Sequence, residues 1–597
     1  MKETESKWQR IKEAKRAGVL VPLFSVYSRQ SIGIADFRDL KLVVDWSERS
    51  GNSIVQLLPL NEVGSYFCPY DSLSSFALEP AYICLENIPH LNKDAIKFKI
   101  NKIKEAYPLG GHVDYRIKKE KMNLLWQIYA QEEEFIHPDF RNFKEKNAYW
   151  LEDFALFKVI KEYFKGRAWY EWEDGYKRRD KTLLDIFKKQ YSKEIDFQVW
   201  VQWHLYQQLK EAKQYAAKKG ILLKGDLPIL VSRDSADVWA NPDFFKLEFS
   251  AGAPPDMYCA KGQRWGMPSY NWEKIAQDNY SYLKEKLRYA QEFYHILRID
   301  HVIGLFRIWS IPYNETPENK GLGGFFDPAD EKIWGEHGRK ILSVMLESTD
   351  MLLCAEDLGI IPKACPQTLK ELGIPGNDVQ RWVKDWAVKH DFLDPDKYRA
   401  LTVAMLSTHD TTNWAAWWEH EAGTVDEALF ISKCRDRGID YVHIKDQLFD
   451  LNFPCRTRLR WLNSVNSVDK LVGILGKRKE EVRDFIDMYE NTYQEKEKLW
   501  KHLGLAGKMR ESATSEIVKA ALKITLDSQA IFCIQLIIDW LMLSDIFKGD
   551  PYEYRINIPG TISPYNWSLT IPIPLEDLLK HKVTEDIRAL ISTSGRI

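Results

Sequence analysis

The 597-residue chain has almost no net charge: 84 basic and 86 acidic residues leave −2. With no surplus of lysine and arginine, the balance argues against a nucleic-acid binder that depends on neutralising a phosphate backbone. Long apolar runs are also missing. The richest, "AIFCIQLIIDWLML" at 530–543, is short and contains Asp539, whereas a membrane span needs about 20 apolar residues. The N-terminal "MKETESKWQRIKEAKRAGVL" is polar and helix-like, without the apolar core of a secretion signal. Cysteine is scarce, with 8 residues and no CxxC pair, which is the usage of reduced, buried thiols in the cytoplasm. There is no GxxxxGK[ST], and no GxGxxG follows a strand-like run, so a nucleotide site has no support. "EHEAGT" at 419–424 is not HExxH, because Thr424 stands four after His420, and no zinc spacing exists elsewhere. Low-complexity segments and internal repeats are absent.

Aromatic residues, in contrast, are plentiful: 22 Trp, 28 Tyr and 27 Phe. Most must serve the core, but rings of this kind also stack on flat apolar ligand faces while their polar edge hydrogen-bonds outward. Short apolar runs recur at 19–24, 53–59, 221–230, 295–300, 351–357, 401–408 and 531–538, separated by helix-patterned stretches such as 276–294 and 331–349. Seven or eight strands alternating with helices predict an α/β fold with a parallel sheet, and over this length a (β/α)8 TIM barrel. The whole chain, 1–597, reads as a single catalytic barrel domain. Two mainly helical blocks, about 90–218 and about 411–525, read as inserted subdomains, the second placed before the last strand.

Several strand-like runs end in charge. Asp226 lies in "KGDLPI", Arg298 and Asp300 in "HILRIDHVIGLF", Glu356 in "CAEDLG", and His409 and Asp410 in "LSTHDTTNW". One acidic residue after a strand often caps the next helix. Four acidic ends, two with an added Arg or His, would converge on one axis in a barrel, whose chemistry sits at the C-terminal ends of its strands. Such a group suits glycosidic bonds: one carboxyl protonates the departing oxygen and a carboxylate about 5 Å away captures the oxocarbenium-like centre with retention. Arg298, two residues before Asp300, is expected to lower the Asp300 pKa and keep it ionised as the nucleophile. Glu356 is expected to be the acid/base with a raised pKa. Asp410 and His409 are expected to hold sugar hydroxyls.

The stretches "GDLPI" (225–229), "DSADVWANPDFF" (234–245), "GAPPDMYCAKGQRWGMPSYNW" (252–272), "RIDHVIG" (298–304), "AEDLG" (355–359), "THD" (408–410) and "RINIPGTISPYNWS" (555–568) together resemble glycoside hydrolase family 77. Its members are the 4-α-glucanotransferases called amylomaltases or disproportionating enzymes. The resemblance runs from about residue 19 to 570. It implies a barrel of the α-amylase clan, with Asp300 as nucleophile, Glu356 as acid/base and Asp410 as transition-state stabiliser. Arg298, His409 and Asp226 match the family's substrate-surrounding positions. It further implies that no metal or organic cofactor is needed, and that α-1,4-glucan and glucose are the substrates. The stretch 252–272 resembles the family's active-site loop, where Asp256 and Trp265 read as acceptor-side contacts; Trp265 could equally anchor the loop itself. Tyr70 is a stacking ring or a core residue.

Three departures stand out. Thr411 follows "THD", where the family usually has Asn. "CPYDSLSSFALEP" (68–80) replaces a pattern like SPYQSxSxFAGNP, so Asp71, Leu78 and Glu79 are expected to alter the donor-side groove. The helical stretch after Asp410 is longer than usual. Two further readings remain at this point: an α-glucan hydrolase of the same clan, and a catalytically silent glucan-binding protein.

Overall fold

In the computed structural model, which describes residues 4–88, 93–130, 138–255, 261–453 and 456–596, eight short strands make one parallel sheet. They are β1 (Arg16–Leu20), β2 (Ile54–Gln56), β3 (Leu222–Leu227), β4 (Ile296–Ile299), β5 (Leu352–Ala355), β6 (Gly376–Val379), β7 (Thr402–Met405) and β8 (Phe532–Leu536). Nearly every residue in them is buried, as expected of strands covered on both faces, and this is why they read as continuous apolar runs. The order is β5-β4-β3-β2-β1-β8-β7-β6. Its two ends meet: the Ala355 amide donates to the Pro375 carbonyl at 2.7 Å and the Asn377 amide to the Asp357 carboxylate at 2.7 Å. The result is the (β/α)8 barrel.

Two strands differ from the sequence reading. β1 begins at Arg16 and ends at Leu20, earlier than the apolar run at 19–24. β6, Gly-Asn-Asp-Val, has no apolar pattern; it is buried because β7 pairs with it along its whole length.

Helices fill the connections. Asp36 caps the helix Phe37–Ser50 by accepting the Arg38 and Asp39 amides, and Asp39 returns a bond to the Asp36 amide, a reciprocal cap. The late helix Lys582–Thr593 comes back to this first helix, where Trp46 Nε1 donates to Thr584 Oγ1 at 3.0 Å. Helices between 93 and 218 separate β2 from β3 and end in the 27-residue Ser192–Lys218. Between β7 and β8, residues from Val425 to Tyr489 have a hydrophobic core of their own around Phe430, which meets Phe449 and Phe485 edge to face at 4.9 and 5.0 Å. The helices Glu495–His502 and Ser515–Asp527 then rejoin the main core through Leu499, Val518 and Leu522.

A small antiparallel sheet of Phe249–Ala253, Gln263–Arg264, Ile308–Pro312 and Phe325–Asp327 is built by the chain leaving β3 and β4. Its hairpin depends on Gly252, where a Cβ would lie 2.1 Å from the Gln263 carbonyl oxygen.

Candidate active site

Adjacent strands bring the charged residues together. Asp226 on β3 is the register partner of Arg298 on β4, so side chains on the same face of neighbouring strands touch. Arg298 Nη1 donates to both carboxylate oxygens of Asp226 at 2.7 Å and to Asp300 Oδ1 at 3.0 Å. Asp226 is fully buried there. Gly225, just before it, leaves room for the Tyr294 ring, 2.4 Å from where a Cβ would stand. Tyr70, from the loop after β2, donates its hydroxyl to Asp226 Oδ2 at 2.8 Å. Burial, reinforced by Asp226, raises the Tyr70 pKa, so the phenol stays a donor. Its half-buried ring stacks on His409 at 5.3 Å.

Asp300 and Glu356 leave β4 and β5 at matching positions, since the Glu356 amide donates to the Ile299 carbonyl at 2.9 Å. His301 turns in the left-handed region, φ 43°, uncommon for a residue with a side chain. Its amide points at Glu356 Oε2, 2.8 Å away, while the Leu358 amide reaches Oε1 at 3.2 Å. Burial raises the pKa of both carboxyls to about 7, with the neighbouring Asp226 and then Glu356 adding to the rise at Asp300 and Arg298 opposing it in each. The expectation for Asp300 is therefore corrected: Arg298 acts downward as foreseen, but its guanidinium is spent mainly on Asp226, and burial outweighs what is left. Asp300 accepts a hydrogen bond from Arg298, whereas Glu356 accepts the His301 and Leu358 amides.

Asp410 is held differently. Burial works against its charge, yet His409 and the Asn557 amide bring its pKa down to about 2. Asn557 Nδ2 donates to Oδ1 at 2.7 Å, and Arg555 Nη2 to the Asp410 carbonyl at 3.2 Å. His409 Nε2 is 3.3 Å from Oδ2 but off the hydrogen-bond line. Although deep, the carboxylate faces open cleft, with 46% of the side chain accessible. Thr411 closes the turn: Oγ1 accepts from the Thr408 amide at 3.1 Å and donates to the Thr408 carbonyl at 3.2 Å.

Trp265 leaves the hairpin half-buried, with its ring edge to face on His301 at 5.0 Å and Nε1 donating to Gln263 Oε1 at 3.0 Å. It therefore anchors the loop while standing beside the Asp300 turn. Asp256 lies outside the described residues. Sequence reasoning did not single out His301, Asn557 or Trp567, whose ring is 5.8 Å from His409. The last two sit in the quoted "RINIPGTISPYNWS", but nothing in the spacing ties Asn557 to Asp410 across 147 residues.

The expected effect of the 68–80 departures is also corrected in part. Leu78 exchanges two bonds with Gln202 at 2.8 and 2.9 Å. Glu79 accepts from the Val63 and Ala81 amides and from Lys118. Both are fully buried against the helical insert and do not face the groove, while Asp71 hydrogen-bonds Ser232. Among the described residues no cluster of three His, Cys, Asp or Glu could hold a metal ion, and no helix is long and apolar enough to cross a membrane.

A parallel barrel whose C-terminal face gathers a shared-guanidinium carboxylate pair, a neighbouring carboxyl of raised pKa and an ionised fourth carboxylate defines a carbohydrate-active enzyme working on glycosidic bonds. Comparisons with known proteins narrow this. The family model described as 4-alpha-glucanotransferase matches residues 21–575, and a 4-alpha-glucanotransferase of Chlamydia pneumoniae is 33% identical, covering 96% of this chain and 95% of its own. The amylomaltase of Streptococcus agalactiae, solved in complex with acarbose, shares the fold with TM-score 0.70 at 22% identity, over 98% of this chain and 99% of that one. That of Corynebacterium glutamicum does so with TM-score 0.71 at 19% identity, over 98% of this chain and 76% of that one. The chain belongs to the 4-alpha-glucanotransferases of glycoside hydrolase family 77, and the activity is glucan transfer.

Proposed function

We propose that the enzyme moves an α-1,4-glucan segment from a maltooligosaccharide donor to the 4-hydroxyl of glucose or another glucan by a retaining double displacement. Asp300 attacks the anomeric carbon and forms the glycosyl-enzyme bond. Glu356 gives its proton to the departing 4-oxygen and later takes the proton of the acceptor 4-hydroxyl, which releases Asp300. Asp410, already ionised, bonds ring hydroxyls more tightly as the sugar flattens and develops positive charge. The observation that carries this reading is the unequal support of the two carboxyls. Arg298 donates to Asp300, whereas Glu356 accepts only backbone amides, which favours the charge on Asp300 and the proton on Glu356.

Trp265 on the hairpin covers the Asp300 turn and limits water, which favours a sugar hydroxyl as acceptor. We place the reaction in the cytoplasm because Cys84, Cys354, Cys365, Cys434 and Cys533 are buried and unpaired. The test is incubation with maltotriose. Longer oligosaccharides plus glucose, with no net gain of reducing ends, support transfer; glucose and maltose with rising reducing ends and no ladder would make the chain a hydrolase.

A further inference from the structure

We propose that Tyr170 and Tyr313, with Arg233 between them, form an outlying binding rail for an α-glucan chain on the rim of the cleft. Both rings are exposed, by 36% and 41%, and both are held still. The Arg233 guanidinium carbon sits 3.8 Å from the Tyr313 ring centre and 5.5 Å from that of Tyr170. Arg233 itself is fixed by Nη1 donating to the Leu247 carbonyl at 2.6 Å. Tyr313 is tied by its amide to the Glu248 carbonyl at 2.8 Å, and its carbonyl accepts Arg264 Nη2 at 2.6 Å. Tyr170 follows Trp169, whose amide and Nε1 bond Asp234 and the Arg233 carbonyl at 3.1 and 2.8 Å.

The rail adjoins the site along the chain on two sides. Arg264 precedes Trp265, the ring that stands on His301. Ser232, one residue before Arg233, hydrogen-bonds Asp71, the neighbour of Tyr70. Lys161 pairs with Asp234, while Arg233 and Arg264 bond backbone carbonyls and lie against the tyrosine rings. Rigid ring faces with guanidinium donors between them match a neutral chain that offers C–H faces and hydroxyls in alternation. Rings already immobilised lose little entropy on binding. Of the three elements, the insert before β3 supplies Tyr170, the chain after β3 supplies Arg233, and the small sheet supplies Tyr313. A donor or acceptor long enough to leave the cleft past Trp265 would lie across them. The inference rests on the reading of the cleft as a glucan site.

The experiment is calorimetric titration of full-length Asp300→Asn with maltotriose and maltoheptaose, with and without Tyr170→Ala and Tyr313→Ala together. The expected result is a maltoheptaose affinity lower by roughly tenfold, with maltotriose changed by less than about twofold. Equal losses for both sugars, or none for either, would overturn the proposal. Should the double variant not fold, Tyr313→Leu keeps the apolar bulk without the ring face and must show the same selectivity for the longer sugar. If neither sugar binds and the active enzyme builds no ladder from maltotriose, the glucan reading itself falls, and the rail with it.

Discussion

Asp300 sits where burial opposes ionisation and one guanidinium, shared with Asp226, supports it. On the proposed mechanism turnover needs Asp300 charged and Glu356 protonated, so kcat/KM against pH should be a narrow bell centred near neutrality, with Asp300 on the acid limb and Glu356 on the alkaline limb. The same burial bears on stability. A carboxyl with a folded pKa of about 7 and an unfolded value near 4 favours the folded state while protonated; that contribution is complete below about pH 4 and lost as pH rises to about 7. Asp300→Asn should therefore lower turnover by about 10⁴-fold or more yet melt above the wild type at pH 8, with the gap closing toward pH 5. A lower Tm than wild type at pH 8 would contradict the burial argument. Asn557→Ala removes the amide that fixes Asp410 and should cost about 10- to 100-fold in kcat with a small change in KM, read from steady-state kinetics.

At the scale of elements, the proposed mechanism has the hairpin 249–253/263–264 and the turn after β4 limit what reaches the glycosyl-enzyme bond. Removing the ring in Trp265→Ala should leave the fold intact and raise the ratio of hydrolysis to transfer several-fold, measured as reducing ends gained per glucose released. An unchanged ratio would reduce Trp265 to a loop anchor. Legibility at this scale was uneven. The runs at 221–230, 295–300 and 351–357 read as strands because both faces are covered, and the charges at their ends were visible for that reason. β6 was not, because Gly376, Asn377 and Asp378 owe their burial to neighbours far away in the chain. Glu79 and Leu78 were misjudged as groove residues for a similar reason: their partners, Lys118 and Gln202, come from the insert.

Across the whole molecule, the barrel and the residues around Phe430 bury separate hydrophobic clusters. We propose that the block between β7 and β8 opens independently. Phe430→Ala should cost that unit about 3–5 kcal/mol and speed proteolysis and amide exchange within 425–489, while barrel amides keep their protection. Exchange rising equally in β1 and β8 would show one cooperative unit instead.

The order of charged strand ends and the family motifs were properties of the sequence alone, because a strand followed by an acid is a local pattern. They were enough for the barrel and the reaction class. What only the tertiary structure decided is how those groups share their support. Arg298 is spent mostly on Asp226, Asn557 reaches Asp410 across 147 residues, and the amide of His301 turns toward Glu356. Charge on a buried carboxyl depends on which donors surround it and on the water it has lost, and both are set by contacts between segments that are remote in the chain.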